Sequence, residues 1–158
     1  KIMSVIENEY KPVLVINDDD ANEVADFVIV TEERFILLHA KYSSKIKPGL
    51  RVNDVQVVVA QALKNLRFFI PEIIVERADR FTKRQFIESI EKNEEVIKET
   101  LIKSLNNYNV KKECWIVQPG ISKEKLESDE NNKIHTLLNY VDGICNNNNI
   151  NFRFFCSP

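Results

Sequence analysis

The chain has 158 residues and a formal net charge of −2; 44% of its residues are hydrophobic and 29% are charged. These are ordinary values for a globular domain with its own core, and they exclude a protein coated in positive charge, although a local basic patch stays compatible with them. No apolar run is long enough to span a membrane and no signal segment opens the chain, so we expect no membrane partner. We expect one domain over residues 1–158. Because the first residue is Lys1, we expect a fragment of a larger protein, unless a tag was removed.

The first fifty residues predict three short strands. Residues 13–16 are apolar and end at the polar turn 17–20, whose aspartates we expect to be exposed. Residues 25–31 are β-branched and apolar, which is typical of a strand buried on both faces. Glu32 and Glu33 form a tight turn into a strand over 34–42, and so short a connection predicts an antiparallel hairpin. A loop with Pro48-Gly49 follows over 43–50.

The rest of the chain alternates between helices and strands. Residues 52–69 place apolar side chains on one helical face, and Pro71 ends that helix. Residues 81–106 predict a second helical region in one or two pieces. Residues 113–118 predict a strand that Pro119-Gly120 stops, 134–145 have a helical period, and 151–156 predict a last strand. This order predicts an α/β fold with a mixed β-sheet flanked by helices.

Three cysteines lie far apart at Cys114, Cys145 and Cys156. Each is in or beside an apolar segment, and their number is odd, so we expect buried free thiols rather than a disulfide or a zinc site. Free thiols persist in a reducing compartment, which favours a cytoplasmic location.

The hairpin carries the residues on which a functional interpretation depends. Asp26 lies at the start of its first strand, and His39 and Lys41 lie at the end of its second. A short hairpin brings these ends to one edge of a sheet, and strand alternation puts His39 and Lys41 on the same face. The alternative is a structural ion pair between Asp26 and Lys41, with His39 as an ordinary core histidine.

These residue types suit the hydrolysis of a phosphodiester. That reaction needs a divalent ion to neutralise developing charge and to activate water, and Mg²⁺ prefers carboxylate ligands. Asp26 supplies such a carboxylate, and Glu23 is a candidate second ligand. Lys41 orients the attacking water or stabilises charge in the transition state. Gln61, on the border of the 52–69 helix, is a candidate for the same edge, or only a helix-border residue.

The pattern resembles the PD-(D/E)XK nuclease superfamily. Asp26 matches its first acid, His39-Ala40-Lys41 its (Asp/Glu)-x-Lys motif, and Gln61 with Lys64 its helix motif. More narrowly, residues 18–26, 39–43, 48–54, 61–65, 115–122 and 152–157 look like a nuclease-like domain appended to bacterial DEAD/DEAH-type helicases of defence systems and mobile elements. The resemblance implies a restriction-endonuclease-like fold, metal-dependent DNA cleavage with Mg²⁺ or Mn²⁺, and a helicase module in the same parent chain. It leaves a homodimer open.

One position departs from the superfamily pattern, since His39 stands where the middle acid is expected. Imidazole binds Mg²⁺ poorly and Mn²⁺, Ni²⁺ or Zn²⁺ better. His39 is therefore a ligand for a softer metal beside Asp26 and Glu23, a base near neutral pH, or a sign of weak activity. A catalytically inactive module that binds nucleic acid or protein is the alternative function.

Basic residues near the hairpin are candidates for contacts with backbone phosphates. They flank the loop after Lys41 or lie on the following helix: Lys45, Lys47, Arg51 and Lys64. A second basic cluster comprises Arg77, Arg80, Lys83 and Arg84, and we interpret it as solubilising charge.

Overall fold

The computed structural model describes residues 6, 8–19, 21–42, 47–88, 93–128 and 132–158, except the side chains of 85–88. The chain divides into two units. The first unit contains Lys1–Leu37 and Arg67–Glu113, and the second contains Leu38–Leu66 and Cys114–Pro158. Each unit is built from two separated segments of the sequence. The expectation of one domain stays a prediction.

Six strands form a mixed sheet in the order β4-β1-β2-β3-β5-β6. The pairings of β1 with β2 and with β4 are antiparallel. The amide of Lys111 donates to Glu33 and that of Lys41 donates to Val117, so β3 and β5 advance in the same direction. The strand bounds are β1 Leu14–Asn17, β2 Phe27–Val30, β3 Arg34–Ala40, β4 Gln85–Glu88, β5 Lys111–Ser122 and β6 Asn151–Ser157.

Helices flank these strands, which confirms the mixed α/β class predicted from the sequence. None of the helices in the described part of the chain has the length and apolar character that crossing a bilayer requires. The α-helices are α1 Val52–Asn65, α2 Pro71–Ile74, α3 Ala78–Thr82, α4 Glu94–Asn106, α5 Lys123–Glu127 and α6 Lys133–Asn147, with 3₁₀ turns at Leu66–Phe69 and Val75–Arg77.

In the first unit, β1 and β2 are the centre of the core. Leu14 lies opposite Val30 and Asn17 opposite Phe27, and the apolar side chains of both strands are buried except Phe27, which is half-buried. The turn into β3 is fixed by Thr31, whose hydroxyl accepts the amides of Glu33 and Arg34. This arrangement confirms the predicted hairpin. Helices α2 and α3 pack against α4.

In the second unit, α1 packs against α6, and α6 packs against β6. The predicted apolar faces are confirmed, because Val55, Val59 and Ala62 on α1 and Ile134 and Val141 on α6 are buried. The cysteines are free, as predicted. Cys114 and Cys145 are buried, whereas Cys156 is half-buried.

Two predicted boundaries are wrong for identifiable reasons. Pro119-Gly120 does not stop β5, because the carbonyl of Gly120 accepts the amide of Gly49 at 2.9 Å and that of Pro119 accepts the Ser157 hydroxyl at 2.8 Å. Pro71 begins α2, where its missing N–H costs nothing, while the preceding helix already ends at Asn65.

The predicted helical region 81–106 is also wrong in its first part. Residues Gln85–Glu88 form β4, which pairs antiparallel with β1 along its full length. Four residues carry too little periodicity to separate a strand from a helix, so the pairing with β1 decides the outcome. The second part of the region is α4, where Asn93 caps the helix by accepting the Glu95 amide. Residues 89–92 lie outside the described residues.

Candidate metal centre

The connection between β1 and β2, residues 18–26, carries five acidic residues in the sequence, and we call it the acidic loop. Its ends meet, since the amide of Asp18 donates to the carbonyl of Asp26 at 3.1 Å. Asp18 is fully buried and its Oδ2 accepts the amide of Val24 at 2.9 Å. The expectation that Asp18 is an exposed turn residue is wrong, because its carboxylate is an internal acceptor that folds the loop. Asp19 is exposed as expected, and Asp20 lies outside the described residues.

Two arginines neutralise the buried carboxylate of Asp18. Nε of Arg80 lies 2.7 Å from Oδ1 of Asp18, and Nε of Arg84 lies 3.3 Å from the same oxygen. Arg80 also donates to the carbonyl of Ala21 at 2.9 Å. These contacts fix the acidic loop to α3 and to the residues after it, and they give Arg80 and Arg84 a structural role. The sequence interpretation as solubilising charge is therefore wrong for these two residues.

The acidic loop brings three carboxylates together. Asp19, Glu23 and Asp26 each offer an oxygen, and these oxygens all lie within 4.8 Å of one another. Asp19 is exposed, whereas Glu23 and Asp26 are half-buried. A hard, all-oxygen donor set with open sides fits Mg²⁺ or Mn²⁺, which keep several water ligands. Sequence reasoning selected Glu23 and Asp26 but missed Asp19, whose only signal is its position in an acidic turn beside them.

The other predicted catalytic residues belong to the second unit. His39 is fully buried near the end of β3, and neither ring nitrogen has a hydrogen-bond partner among the described residues. Burial lowers the pKa of His39 from 6.5 to about 4, so the ring is neutral at physiological pH. Lys41 is half-buried directly after β3, and Gln61 is half-buried on α1. Glu23 and Asp26 belong to the first unit.

The predicted phosphate-binding residues differ in their surroundings. Lys47 and Lys64 are exposed, and Lys45 lies outside the described residues. Arg51 precedes α1, and its guanidinium donates to the carbonyl of Gly120 at 2.9 Å and to that of Lys47 at 2.8 Å. Arg51 therefore holds the loop before α1 against β5, whether or not it also contacts a phosphate.

A cavity of about 380 Å³ opens at the other end of β1 and β2 from the acidic loop. Its walls include Val13, Val30, Thr31, Lys103 and Ser104. Among the described residues that line it, Glu32 is the one carboxylate. A single carboxylate does not make a metal site, so this cavity contributes nothing to the metal-dependent chemistry considered above.

Geometry and topology define a mixed α/β protein with a candidate divalent-metal site between its first two strands. Comparisons of this chain with protein-family models, curated proteins and solved structures find no match. A functional assignment consequently depends on the residues themselves and on the motifs that they form.

Proposed function

We propose that this chain is a metal-dependent nuclease domain of PD-(D/E)XK type that hydrolyses DNA phosphodiester bonds. The observation that supports it best is the convergence of the Asp19, Glu23 and Asp26 carboxylates within 4.8 Å. Two of these three acids, Glu23 and Asp26, are also the candidate ligands of the sequence pattern. The topology adds support, because β1, β2 and β3 are followed by helix α1 and, after further helices and β4, by β5, which runs parallel to β3.

In this proposal Asp26 and Glu23 hold the ion, and Asp19 adds a third carboxylate. A bound Mg²⁺ or Mn²⁺ supplies neutralisation of phosphate charge and acidification of a bound water. Lys41 positions the attacking water or stabilises the charge that develops on the phosphate. Gln61 orients the same water or a phosphate oxygen, and Lys45, Lys47, Arg51 and Lys64 hold the backbone.

The burial of His39 bears on which of its candidate roles, metal ligand or base near neutral pH, the proposal adopts. With a pKa of about 4, the ring is neutral at neutral pH, so it carries one N–H and offers a lone pair on the other nitrogen. Its unpartnered nitrogens suit the coordination of a borderline metal such as Mn²⁺ better than Mg²⁺. We therefore propose His39 as a ligand that shifts metal preference towards Mn²⁺.

Plasmid nicking tests the proposal directly. The purified protein is incubated with supercoiled DNA and Mg²⁺, Mn²⁺ or a chelator, beside Asp26→Ala, Lys41→Ala and the exposed-site control Glu99→Gln. We expect metal-dependent nicking by the wild type and the control, and loss of nicking in both site variants with unchanged circular dichroism. Cleavage by both site variants at the wild-type rate would refute the assignment.

The second candidate is a binding module that retains this fold without catalysis. The observation that favours it is the replacement of the middle acid by a histidine that is completely buried. Such a module binds DNA in the presence of a chelator and shows no nicking with either metal. The nicking assay above, run beside an oligonucleotide binding assay, separates the two candidates.

The wider context is proposed on the motif resemblance and on the free cysteines. The resemblance suggests a bacterial defence or mobile-element protein with a helicase module in the same parent chain, and the free cysteines favour the cytoplasm. A homodimer is compatible with it, and analytical ultracentrifugation with and without DNA measures the oligomeric state.

A further inference from the structure

Five described cations of the first unit have a carboxylate partner. Arg34 pairs with Glu113, Arg80 and Arg84 with Asp18, Lys83 with Asp79, and Lys98 with Glu94. Among the other described cations of this unit, three that have no ion pair with a described carboxylate contact Phe68 or its neighbour Phe69. They are Arg67, Arg77 and Lys112, and we call them the Phe68 patch.

The geometry of the Phe68 patch is set by the compact turns after α1. Cζ of Arg67 lies 4.8 Å from the centroid of the Phe68 ring, and Cζ of Arg77 lies 5.8 Å from the same centroid. The ammonium of Lys112, at the start of β5, donates to the carbonyl of Phe69 at 3.3 Å. Phe69 fixes this segment to the core, because its ring packs edge-to-face against Phe35 with the ring centroids 5.9 Å apart.

The two arginines are placed to bind anions. A guanidinium that lies against an aromatic ring is held in position by that contact, while the N–H groups at its edge remain directed outward. Such edges match the oxygens of a phosphate, to which arginine donates two parallel hydrogen bonds. Arg67 is exposed and Arg77 and Lys112 are half-buried, so an anion has access to all three.

We propose that the Phe68 patch binds the sugar–phosphate backbone of a nucleic-acid strand. The patch presents three charges from two 3₁₀ turns and a strand, and a nucleic-acid strand offers a phosphate to each of several charges, whereas a single small anion does not. The inference rests on the proposed function in one respect, because it takes the bound strand to be the substrate of the nuclease. It adds Arg67, Arg77 and Lys112 to a binding surface that the sequence pattern placed around Lys41 only.

Fluorescence anisotropy with a labelled single-stranded oligonucleotide, in chelator, tests the proposal apart from cleavage. The Arg67→Gln/Arg77→Gln/Lys112→Gln variant is compared with the charge-matched control Lys123→Gln/Lys125→Gln/Lys133→Gln. We expect the patch variant to weaken binding by about tenfold or more and to reduce the salt slope by about 2. We expect the control to remain near wild type. Glu76→Gln, which removes a negative charge beside Arg77, should strengthen binding.

Two further arms separate this role from structural packing and from general anion binding. The Arg67→Lys/Arg77→Lys variant keeps both charges and loses the contact of the guanidinium groups with the ring. Its salt slope should therefore lie closer to that of the wild type than to that of the triple Gln variant. Polyglutamate and free phosphate should compete weakly; equal competition by polyglutamate overturns the assignment to a nucleic-acid backbone. Wild-type binding by the triple variant also overturns it. Because chelator is present, a failure of the nuclease proposal appears only as absent cleavage and leaves these outcomes unaffected.

Discussion

Arg80 holds the carboxylate of Asp18 at 2.7 Å, and the two residues are 62 positions apart in the sequence. Asp18 is fully buried, and the side chain of Arg80 is 22% exposed. This ion pair joins the loop that carries the candidate metal ligands to a helix of the same unit. The positions of Asp19, Glu23 and Asp26 therefore depend on the ion pair between Asp18 and Arg80, in which none of the three takes part.

Removing the charge of Asp18 should destabilise the protein. Asp18→Asn leaves Arg80 and Arg84 without their common partner, and breaking a buried pair in this way typically costs about 3 kcal/mol of unfolding free energy. The matched control is Lys83→Gln, which breaks an exposed pair with Asp79 and should cost less than about 1 kcal/mol. Urea denaturation measures both. Equal losses in the two variants would show that the burial of Asp18 has no energetic consequence.

The carboxylates of the acidic loop should account for metal affinity. Asp26→Asn, Glu23→Gln and Asp19→Asn each remove one hard oxygen charge, and we expect each to weaken Mn²⁺ binding by about tenfold, measured by isothermal titration calorimetry. Glu99→Gln, on the exposed surface of α4, is the control for loss of one negative charge. If Asp19→Asn binds Mn²⁺ as tightly as the wild type, the ion is held by Glu23 and Asp26 without it.

His39 should make stability depend on pH. Its pKa is about 4 in the folded protein and near 6.5 in the unfolded chain, so the unfolded state binds more protons between these values. The His39 contribution to the free energy of unfolding is fully present above pH 6.5. It falls by about 3 kcal/mol as the pH drops towards 4. Denaturation of metal-free protein across this range should show the slope, and His39→Leu should reduce it. A variant of the other histidine, His135→Gln, should retain the slope.

Arg51 should contribute to stability through its two carbonyl contacts. Arg51→Lys keeps the charge but cannot donate to both Gly120 and Lys47, so we expect a loss of about 1–2 kcal/mol in unfolding free energy. The oligonucleotide assay provides the second measurement. An unchanged salt slope in Arg51→Gln would show that this residue supports the loop only, and a reduced slope would support the phosphate contact predicted from the sequence.

Much of the fold could be predicted because the local signals agree with the tertiary structure. The strand at 27–30 and the turn at Thr31 are recognisable from β-branched residues and a short polar connection, and helix α1 from its apolar face. Other features are decided by distant partners. β4 is a strand because β1 lies beside it, and β5 continues through Pro119 because Gly49 pairs with Gly120.

The candidate site also contains features with a local sequence signal and features decided by distant partners. Glu23 and Asp26 are visible in the sequence as acids beside an apolar strand. The burial of Asp18 is not visible, because it depends on Arg80, which no local pattern connects to the loop. The Phe68 patch is hidden for a similar reason, since Arg77 and Lys112 reach Phe68 and Phe69 only after two turns and a strand are folded.

Strand β6 lies at the end of the strand order, and its side chains alternate between exposed and half-buried along 151–155. A strand in that position can recruit another chain through its open row of amide and carbonyl groups. Arg153 is the charged residue of this strand, and it lies 5.8 Å from the ring of Trp115. A charge on an edge strand opposes edge-to-edge pairing into fibres. We therefore expect Arg153→Val to lower the solubility of the protein at high concentration.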